Sequence, residues 1–187
     1  MIIGISGNIG AGKGTVVEYL VEHKGFRHYS ARALLSEELT RRGMELSREN
    51  MWNLANEWRA LSAGYIPNAL IKTASEHQGN AVVEALRSVN EVKTLREYPN
   101  TYLFGIDADV RLRYERAVAR KSSTDNISFE EFVRQEQEET KSDDPNIGNS
   151  VKCIQLADYI FMNNGTKEEL FAQVEKAIQD IEKSSAK

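Results

Sequence analysis

Five short apolar runs, separated by longer stretches with helical periodicity, define the pattern of hydrophobic and polar positions along the 187-residue chain. The runs lie at about residues 1–7, 25–30, 80–85, 101–107 and 157–162. Short apolar runs of this kind are typical of buried strands. Because strands that alternate with helices form parallel sheets covered on both faces, we expect one α/β domain. The predicted fold is a three-layer α/β/α structure with a five-stranded parallel sheet.

The first run leads into a glycine-rich segment, Gly7-x-x-x-x-Gly12-Lys13-Gly14-Thr15, after which residues 16–21 have helical character. Strand, glycine loop and helix in this order form the context of a phosphate-binding P-loop. Glycines let backbone N–H groups turn towards phosphate oxygens, and Lys13 adds positive charge. A glycine-rich turn with an incidental lysine is the alternative, which the flanking elements disfavour. The expected ATP-binding residues are Gly7, Asn8, Ile9, Gly10, Ala11, Gly12, Lys13, Gly14 and Thr15.

A helix predicted over about residues 110–121 carries arginines on one face, because Arg113, Arg116 and Arg120 are spaced i, i+3 and i+7. Guanidinium groups neutralise the charge that phosphoryl transfer spreads over the equatorial oxygens. Arg116 and Arg120 lead into a polar break, where a short lid over about residues 121–149 is expected to begin. We predict that both are catalytic, with a solvated basic stripe as the alternative.

Glu84 ends the apolar third strand, where a carboxylate reaches Mg²⁺ or its water ligands beside a P-loop. Arg87 follows three residues later at the same edge of the sheet. We therefore predict that Glu84 organises Mg²⁺ through water and that Arg87 binds the acceptor. Capping of a backbone N–H is the alternative for Glu84. For Asp107 and Asp109, at the same edge, helix capping is at least as good an explanation.

Helices predicted over about residues 31–78 form an excursion between the second and third strands, under which the acceptor of this fold class usually lies. Arg32 and Arg59 are the leading candidates for acceptor binding. Dipole compensation at a helix C-terminus explains Arg41 and Arg42 more simply. The three histidines, His23, His28 and His77, show no metal-binding spacing.

Composition narrows the classes of function. The net charge of −4 argues against a general nucleic-acid binder. The single Cys153 cannot form an internal disulfide, so we expect a buried thiol and a reducing, cytoplasmic location. No apolar run approaches the ~18–20 residues that cross a membrane, and no signal peptide is evident. We expect a monomer or homodimer with a small-molecule partner.

Three segments resemble a known group of enzymes. Gly10-Ala11-Gly12-Lys13-Gly14-Thr15 resembles the loop of nucleoside monophosphate kinases, the adenylate-kinase branch of P-loop proteins. Residues 82–88 resemble the Asp-Gly-Ile-Arg-Ser segment of small kinases related to adenylate kinase and dephospho-CoA kinase. Residues 157–160 with Asn163-Asn164-Gly165-Thr166 resemble the C-terminal signature of dephospho-CoA kinases. The resemblance spans most of the chain. It implies a kinase that uses Mg·ATP, with Thr15 touching a phosphate.

Departures from these relatives leave the acceptor open. Glu84 stands where they often carry Asp, and the lid lacks the cysteines of a zinc-binding lid. Residues 30–33 lack the paired aspartates of dephospho-CoA kinases, and Ser36 stands near the adenylate-kinase arginine. Arg59 with Gly64 is more similar to deoxynucleoside monophosphate kinases.

The sequence thus predicts transfer of the γ-phosphoryl group of Mg·ATP to a small nucleotide-type acceptor. A (deoxy)nucleoside monophosphate is the leading candidate for this acceptor. Dephospho-CoA kinase, which phosphorylates a ribose hydroxyl, is the alternative enzyme. A protein that is not an enzyme, a nucleotide-binding regulatory module without transfer activity, is a further alternative. The departures of Glu84 and Gly14 from the motifs of related kinases motivate it. A hydrolytic switch is less favoured, because nothing resembles a water-positioning glutamine.

Overall fold

The computed structural model describes residues 1–62, 64–84, 86–120, 127–141 and 144–185. Five strands form one sheet in the order β2-β3-β1-β4-β5, and every pair of neighbours is parallel. The strands are β1 (Ile2–Gly7), β2 (Arg27–Ser30), β3 (Ala81–Glu84), β4 (Thr101–Asp107) and β5 (Tyr159–Met162). The predicted α/β fold with a five-stranded parallel sheet is confirmed.

Helices connect the strands, and several begin after a serine whose side chain caps the first turn. In the described ranges they are α1 (Lys13–Lys24), α2 (Ala31–Arg41), α3 (Arg48–Leu61), α4 (Tyr65–Glu76), α5 (Val89–Arg96), α6 (Val110–Ala119), α7 (Phe129–Thr140), α8 (Ser150–Gln155) and α9 (Lys167–Ser185). Ser88 and Glu91 form a capping box at the start of α5, so each side chain satisfies a free backbone N–H. Asp109 precedes α6, but its side chain makes no capping hydrogen bond.

Alternate residues of each central strand enter two different cores. Ile3 and Ile5 of β1 pack with α1 and α9, whereas Ile2 joins a second core built with α2–α5. Successive strand side chains point to opposite faces, so both faces of β1 are buried. This burial explains why the sequence shows continuous apolar runs rather than alternation.

The helical excursion packs on the sheet through α2 and α4, and α3 packs on these two helices. Leu39 is fully buried and Trp58 is 7% exposed, so both belong to the core. Arg42 joins α2 to α3 through two hydrogen bonds of 2.8 Å to the Glu57 carboxylate. Leu61 continues the helical spacing of Leu54 and Trp58, but it is 70% exposed because α3 ends at this residue and its core packing ends with Trp58.

β2 and β5 each begin two residues later than predicted. Gly25 ends α1 in the left-handed conformation at φ 68°, so β2 begins only at Arg27. Asp158 lies before β5, where its Oδ2 accepts a 2.7 Å hydrogen bond from the backbone N–H of Leu103. The turn before β5 is therefore anchored to β4 by a carboxylate.

We expect Leu39→Ala to lower the free energy of unfolding by about 2–5 kcal/mol, because it leaves a cavity in a fully buried site. Leu61→Ala makes the same chemical change at an exposed site and should change it by about 0.5 kcal/mol or less. Urea denaturation of both variants measures the difference. Equal losses would contradict the assignment of Leu39 to the core.

Candidate functional site

The P-loop runs from the end of β1 to the start of α1 and is held close to its neighbours. Gly10 and Gly12 adopt φ angles of 77° and 101°, which favour glycine. A Cβ would lie 2.1 Å from the carbonyl oxygen of Arg113 at Gly10, and 2.3 Å from Asn163 Nδ2 at Gly12. Both positions therefore require glycine for conformation and for space.

Asn163 supports the P-loop from the segment after β5. Its Nδ2 donates a 2.8 Å hydrogen bond to the carbonyl oxygen of Ala11, and its side chain is buried. Arg116 Nη1 donates a 2.9 Å hydrogen bond to the carbonyl oxygen of Asn163. The predicted catalytic Arg116 is thus fixed next to the loop by a residue that the sequence indicated only through a family signature.

Asn8 ties the loop to two other segments. Its Nδ2 donates to Asp107 Oδ1 at 3.0 Å, and its Oδ1 accepts a 2.5 Å hydrogen bond from Ser150 Oγ. The Asp107 oxygen also accepts from the backbone N–H of Ala108. Asp107 therefore anchors the P-loop besides contributing to the turn that follows β4.

The predicted basic stripe of α6 divides into two parts. Arg113 is only 5% exposed, and it donates hydrogen bonds to the Glu136 carboxylate and to the carbonyl oxygen of Ala108. It links α6 to α7, because a buried guanidinium requires such partners. Arg116 and Arg120 instead line a cavity beside the P-loop.

This cavity, the donor cavity, has a volume of about 500 Å³. Backbone of the P-loop forms one wall, and positively charged side chains converge on it. One of these side chains is Lys167 at the start of α9. The sequence analysis did not identify it as a site residue, because its position indicated only the beginning of a helix. The lining residues are Gly10, Gly12, Lys13, Gly14, Thr15, Glu84, Arg116, Arg120, Asn163, Gly165 and Lys167.

The ammonium group of Lys13 lies within the loop. Its Nζ donates hydrogen bonds of 2.8 Å to the carbonyl oxygen of Gly7 and 3.0 Å to that of Asn8. Burial, and next the positive charge of Arg87, lower the pKa of Lys13 to about 8, against the opposing effect of Glu84. The lysine charge is therefore sensitive to mildly alkaline pH.

A second cavity, the acceptor cavity, has a volume of about 570 Å³ and lies on the other side of Lys13. The predicted substrate-binding residues Arg32 and Arg87 line it. No described residue of α3 or α4 does so, and the side chain of Arg59 lies outside the described part of the structure. The lining residues are Ile5, Gly7, Ile9, Lys13, His28, Ser30, Ala31, Arg32, Glu84, Leu86, Arg87, Glu139, Gly148 and Ser150.

Glu84 and His28 meet where the two cavities adjoin. Glu84, like Lys13, lines both cavities, and its Oε2 lies 3.1 Å from His28 Nε2. This hydrogen bond is the main cause that lowers the pKa of the Glu84 carboxyl. The sequence analysis did not identify His28 as a site residue. Glu84 is distant from it in sequence, and the two side chains meet only because β2 pairs with β3.

The donor cavity suits a polyphosphate with a divalent cation. Gly10, Gly12 and Gly14 line it with backbone alone, the charged side chains that line it are mainly positive, and Thr15 and Glu84 offer oxygen atoms. Mg²⁺ is commonly held by one or two such groups together with substrate phosphates. Within the described residues, no group of three or more metal-ligating side chains exists, and no helix is long and apolar enough to cross a membrane.

Fold and site together define a small P-loop protein of the kinase-like type. A family model described as AAA domain matches residues 6–134. The chain is 32% identical to the UPF0200 protein TK1334 of Thermococcus kodakarensis, over 97% of this chain and 98% of the relative. It therefore belongs to the AAA-domain family of that model and to the UPF0200 proteins.

Solved structures share the fold. TT1252 from Thermus thermophilus superposes with a TM-score of 0.64 at 22% identity, with 96% of each chain covered. Shikimate kinase from Acinetobacter baumannii, in complex with shikimate, superposes with a TM-score of 0.61 at 15% identity, covering 100% of this chain and 95% of that chain. These similarities confirm the predicted P-loop α/β fold and leave the acceptor undefined.

Gly12→Ala and Gly14→Ala should change stability in opposite directions. At Gly12 the left-handed backbone and the contact with Asn163 should cost about 1–3 kcal/mol of unfolding free energy. At Gly14, inside α1 with open space where a Cβ would lie, alanine should stabilise by about 0.4–1 kcal/mol. Chemical denaturation measures both, and a loss at Gly14 equal to that at Gly12 would contradict this geometry.

The affinity for an ATP analogue should fall as the pH rises through about 8, the pKa of Lys13. Below this value the ammonium is charged and attracts phosphate, and above it the charge is lost. Calorimetric titrations between about pH 7 and 9.5 measure the profile. Lys13→Ala should bind more weakly at neutral pH and lack the inflection, so an identical inflection in the variant would assign it to another group.

Proposed function

We propose that this protein transfers the γ-phosphoryl group of a nucleoside triphosphate, with ATP as the first candidate, to a small anionic acceptor. The leading acceptor class is a (deoxy)nucleoside monophosphate. The observation that carries the proposal is that two cavities adjoin at Lys13 and Glu84, which line both. A phosphoryl group passing from a donor to an acceptor needs such a junction.

The donor cavity supplies what phosphoryl transfer requires. Loop N–H groups and the N-terminus of α1 favour an anion, and Lys13, Arg116 and Arg120 add positive charge. Arg116 is held by its hydrogen bond to Asn163, so its position needs little reorganisation during the reaction. Mg²⁺ bound near Thr15 and Glu84 would neutralise charge on the donor phosphates.

The acceptor cavity combines positive charge with apolar surface. Arg32 and Arg87 suit a phosphate or carboxylate, because a guanidinium donates two parallel hydrogen bonds to such groups. Ile5, Ile9 and Leu86 provide an apolar wall for a flat or hydrophobic part of the ligand. A nucleotide has both features, which supports a nucleotide-type acceptor.

In the proposed transfer an acceptor oxygen attacks the γ-phosphorus. A new P–O bond forms while the bond from the γ-phosphorus to the β–γ bridging oxygen breaks, and the nucleoside diphosphate leaves with that electron pair. The charge spread over the equatorial oxygens is neutralised by Lys13, Arg116 and Arg120. A phosphate acceptor attacks through an oxygen that already lacks a proton at neutral pH.

A hydroxyl acceptor, as in dephospho-CoA, is the second candidate because Glu84 lines both cavities. Its carboxylate is the group that would accept the hydroxyl proton as the P–O bond forms. The hydrogen bond from His28 lowers the pKa of Glu84, so this carboxyl is ionised at neutral pH.

A panel of acceptors tests the proposal. ATP consumption should be measured with the common nucleoside and deoxynucleoside monophosphates, dephospho-CoA and shikimate. We expect turnover with one acceptor, and Lys13→Ala should lower it about 100-fold or more, because removing one charge-stabilising donor typically has this effect. Lys176→Ala, at a position outside both cavities, is the matched control and should leave the rate unchanged.

Unchanged turnover in Lys13→Ala would contradict the proposed donor site. No ATP consumption with any acceptor of the panel, while an ATP analogue still binds, would instead favour an acceptor outside the panel or a regulatory binding module. Phosphorylation of dephospho-CoA alone would replace the leading acceptor class by the second.

A further inference from the structure

Lys13 and Glu84 carry opposite charges in the same wall, yet they are not paired. The Lys13 ammonium donates to the carbonyl oxygens of Gly7 and Asn8. Across the described ranges of the chain, His28 is the only side chain that forms a hydrogen bond with Glu84. The lysine is thus not neutralised by Glu84, even though this carboxylate lines both of its cavities.

The two charges nevertheless attract each other. Glu84 raises the pKa of Lys13, and Lys13 is among the groups that lower the pKa of Glu84. In a partly buried site this attraction is stronger than in bulk water. Each group is held by another contact: the Lys13 ammonium by the carbonyl oxygens of Gly7 and Asn8, and the Glu84 carboxylate by His28.

The pairing of β2 with β3 provides the contact between His28 and Glu84. Ser30 is in register with Glu84, and His28 is in register with Val82. Residues two apart on a strand share a face, so His28 is the diagonal neighbour of Glu84. Its Nε2–H donates to Oε2 of the carboxylate at 3.1 Å, and both side chains are about one-third exposed, at 36% and 34%.

From this geometry we infer that His28 is a positioning residue for nucleotide binding. It holds the Glu84 carboxylate towards the acceptor cavity and so leaves the Lys13 ammonium available for phosphate oxygens. Without His28 the carboxylate pairs with Lys13, and an incoming triphosphate must break that pair. The inference rests on the proposed function in one respect, that the donor cavity binds a nucleoside triphosphate.

The test measures binding of the β,γ-imido analogue of ATP by calorimetry, with EDTA present and no acceptor. EDTA removes any contribution of Glu84 through a metal ion. His28→Ala should weaken binding about tenfold, the change that one lost charge contact of about 1.4 kcal/mol produces. His77→Ala, at an exposed histidine outside both cavities, is the matched control and should bind as the wild type does.

Two further variants separate positioning from a structural role. The double variant His28→Ala with Glu84→Gln should bind as tightly as Glu84→Gln alone, because a neutral amide cannot neutralise Lys13. His28→Gln keeps an N–H donor of similar reach and should bind within about twofold of the wild type. General destabilisation by His28→Ala would be relieved by neither change.

Unchanged affinity in His28→Ala, or an equal loss in the double variant, would overturn the inference. Failure of the wild-type chain to bind the analogue would overturn it together with the proposed donor site. A wild-type chain that binds the analogue but phosphorylates no acceptor would contradict the proposed transfer alone, and the binding pattern of the variants would still decide the role of His28.

Discussion

The close approach of the P-loop backbone to its neighbours is the constraint on which the site depends. Gly10 lies against the backbone of α6, and Gly12 lies against Asn163 after β5. A loop near the N-terminus is therefore shaped by α6 and by the segment after β5, both distant in sequence. The hydrogen bonds of Asn163 and Asn8 complete this enclosure, so the phosphate-binding geometry forms only when β4 and β5 have joined β1.

Local signals in the sequence were sufficient for most of the fold. The five strands depend on the character of a few adjacent residues each, and the parallel sheet that they form was predicted correctly. Errors occurred where a distant contact decides the outcome. Asp158 was assigned to a strand, but its carboxylate bonds to the backbone of β4.

The residues of the candidate site also fall into two groups: those that local sequence signals identified, and those that only tertiary packing brings to the site. A short motif identified the P-loop, and the spacing of Arg116 and Arg120 placed both on the face that lines the donor cavity. Arg113 has the same spacing but is buried against Glu136, because α7 covers that turn of α6. His28, Asn163 and Glu139 reach the site only through tertiary packing, which spacing along the chain does not reveal.

The concentration of cationic groups in the donor cavity has a kinetic consequence. The chain as a whole carries a net charge of −4, so its surface repels long polyanions. Lys13, Arg116, Arg120 and Lys167 form a local positive field inside a concave, low-dielectric wall. Such a field accelerates the encounter with a small polyanion and weakens as salt shortens the Debye length. A small polyanion that fits inside the cavity is therefore attracted more strongly than a long one, which must also approach the negatively charged surface.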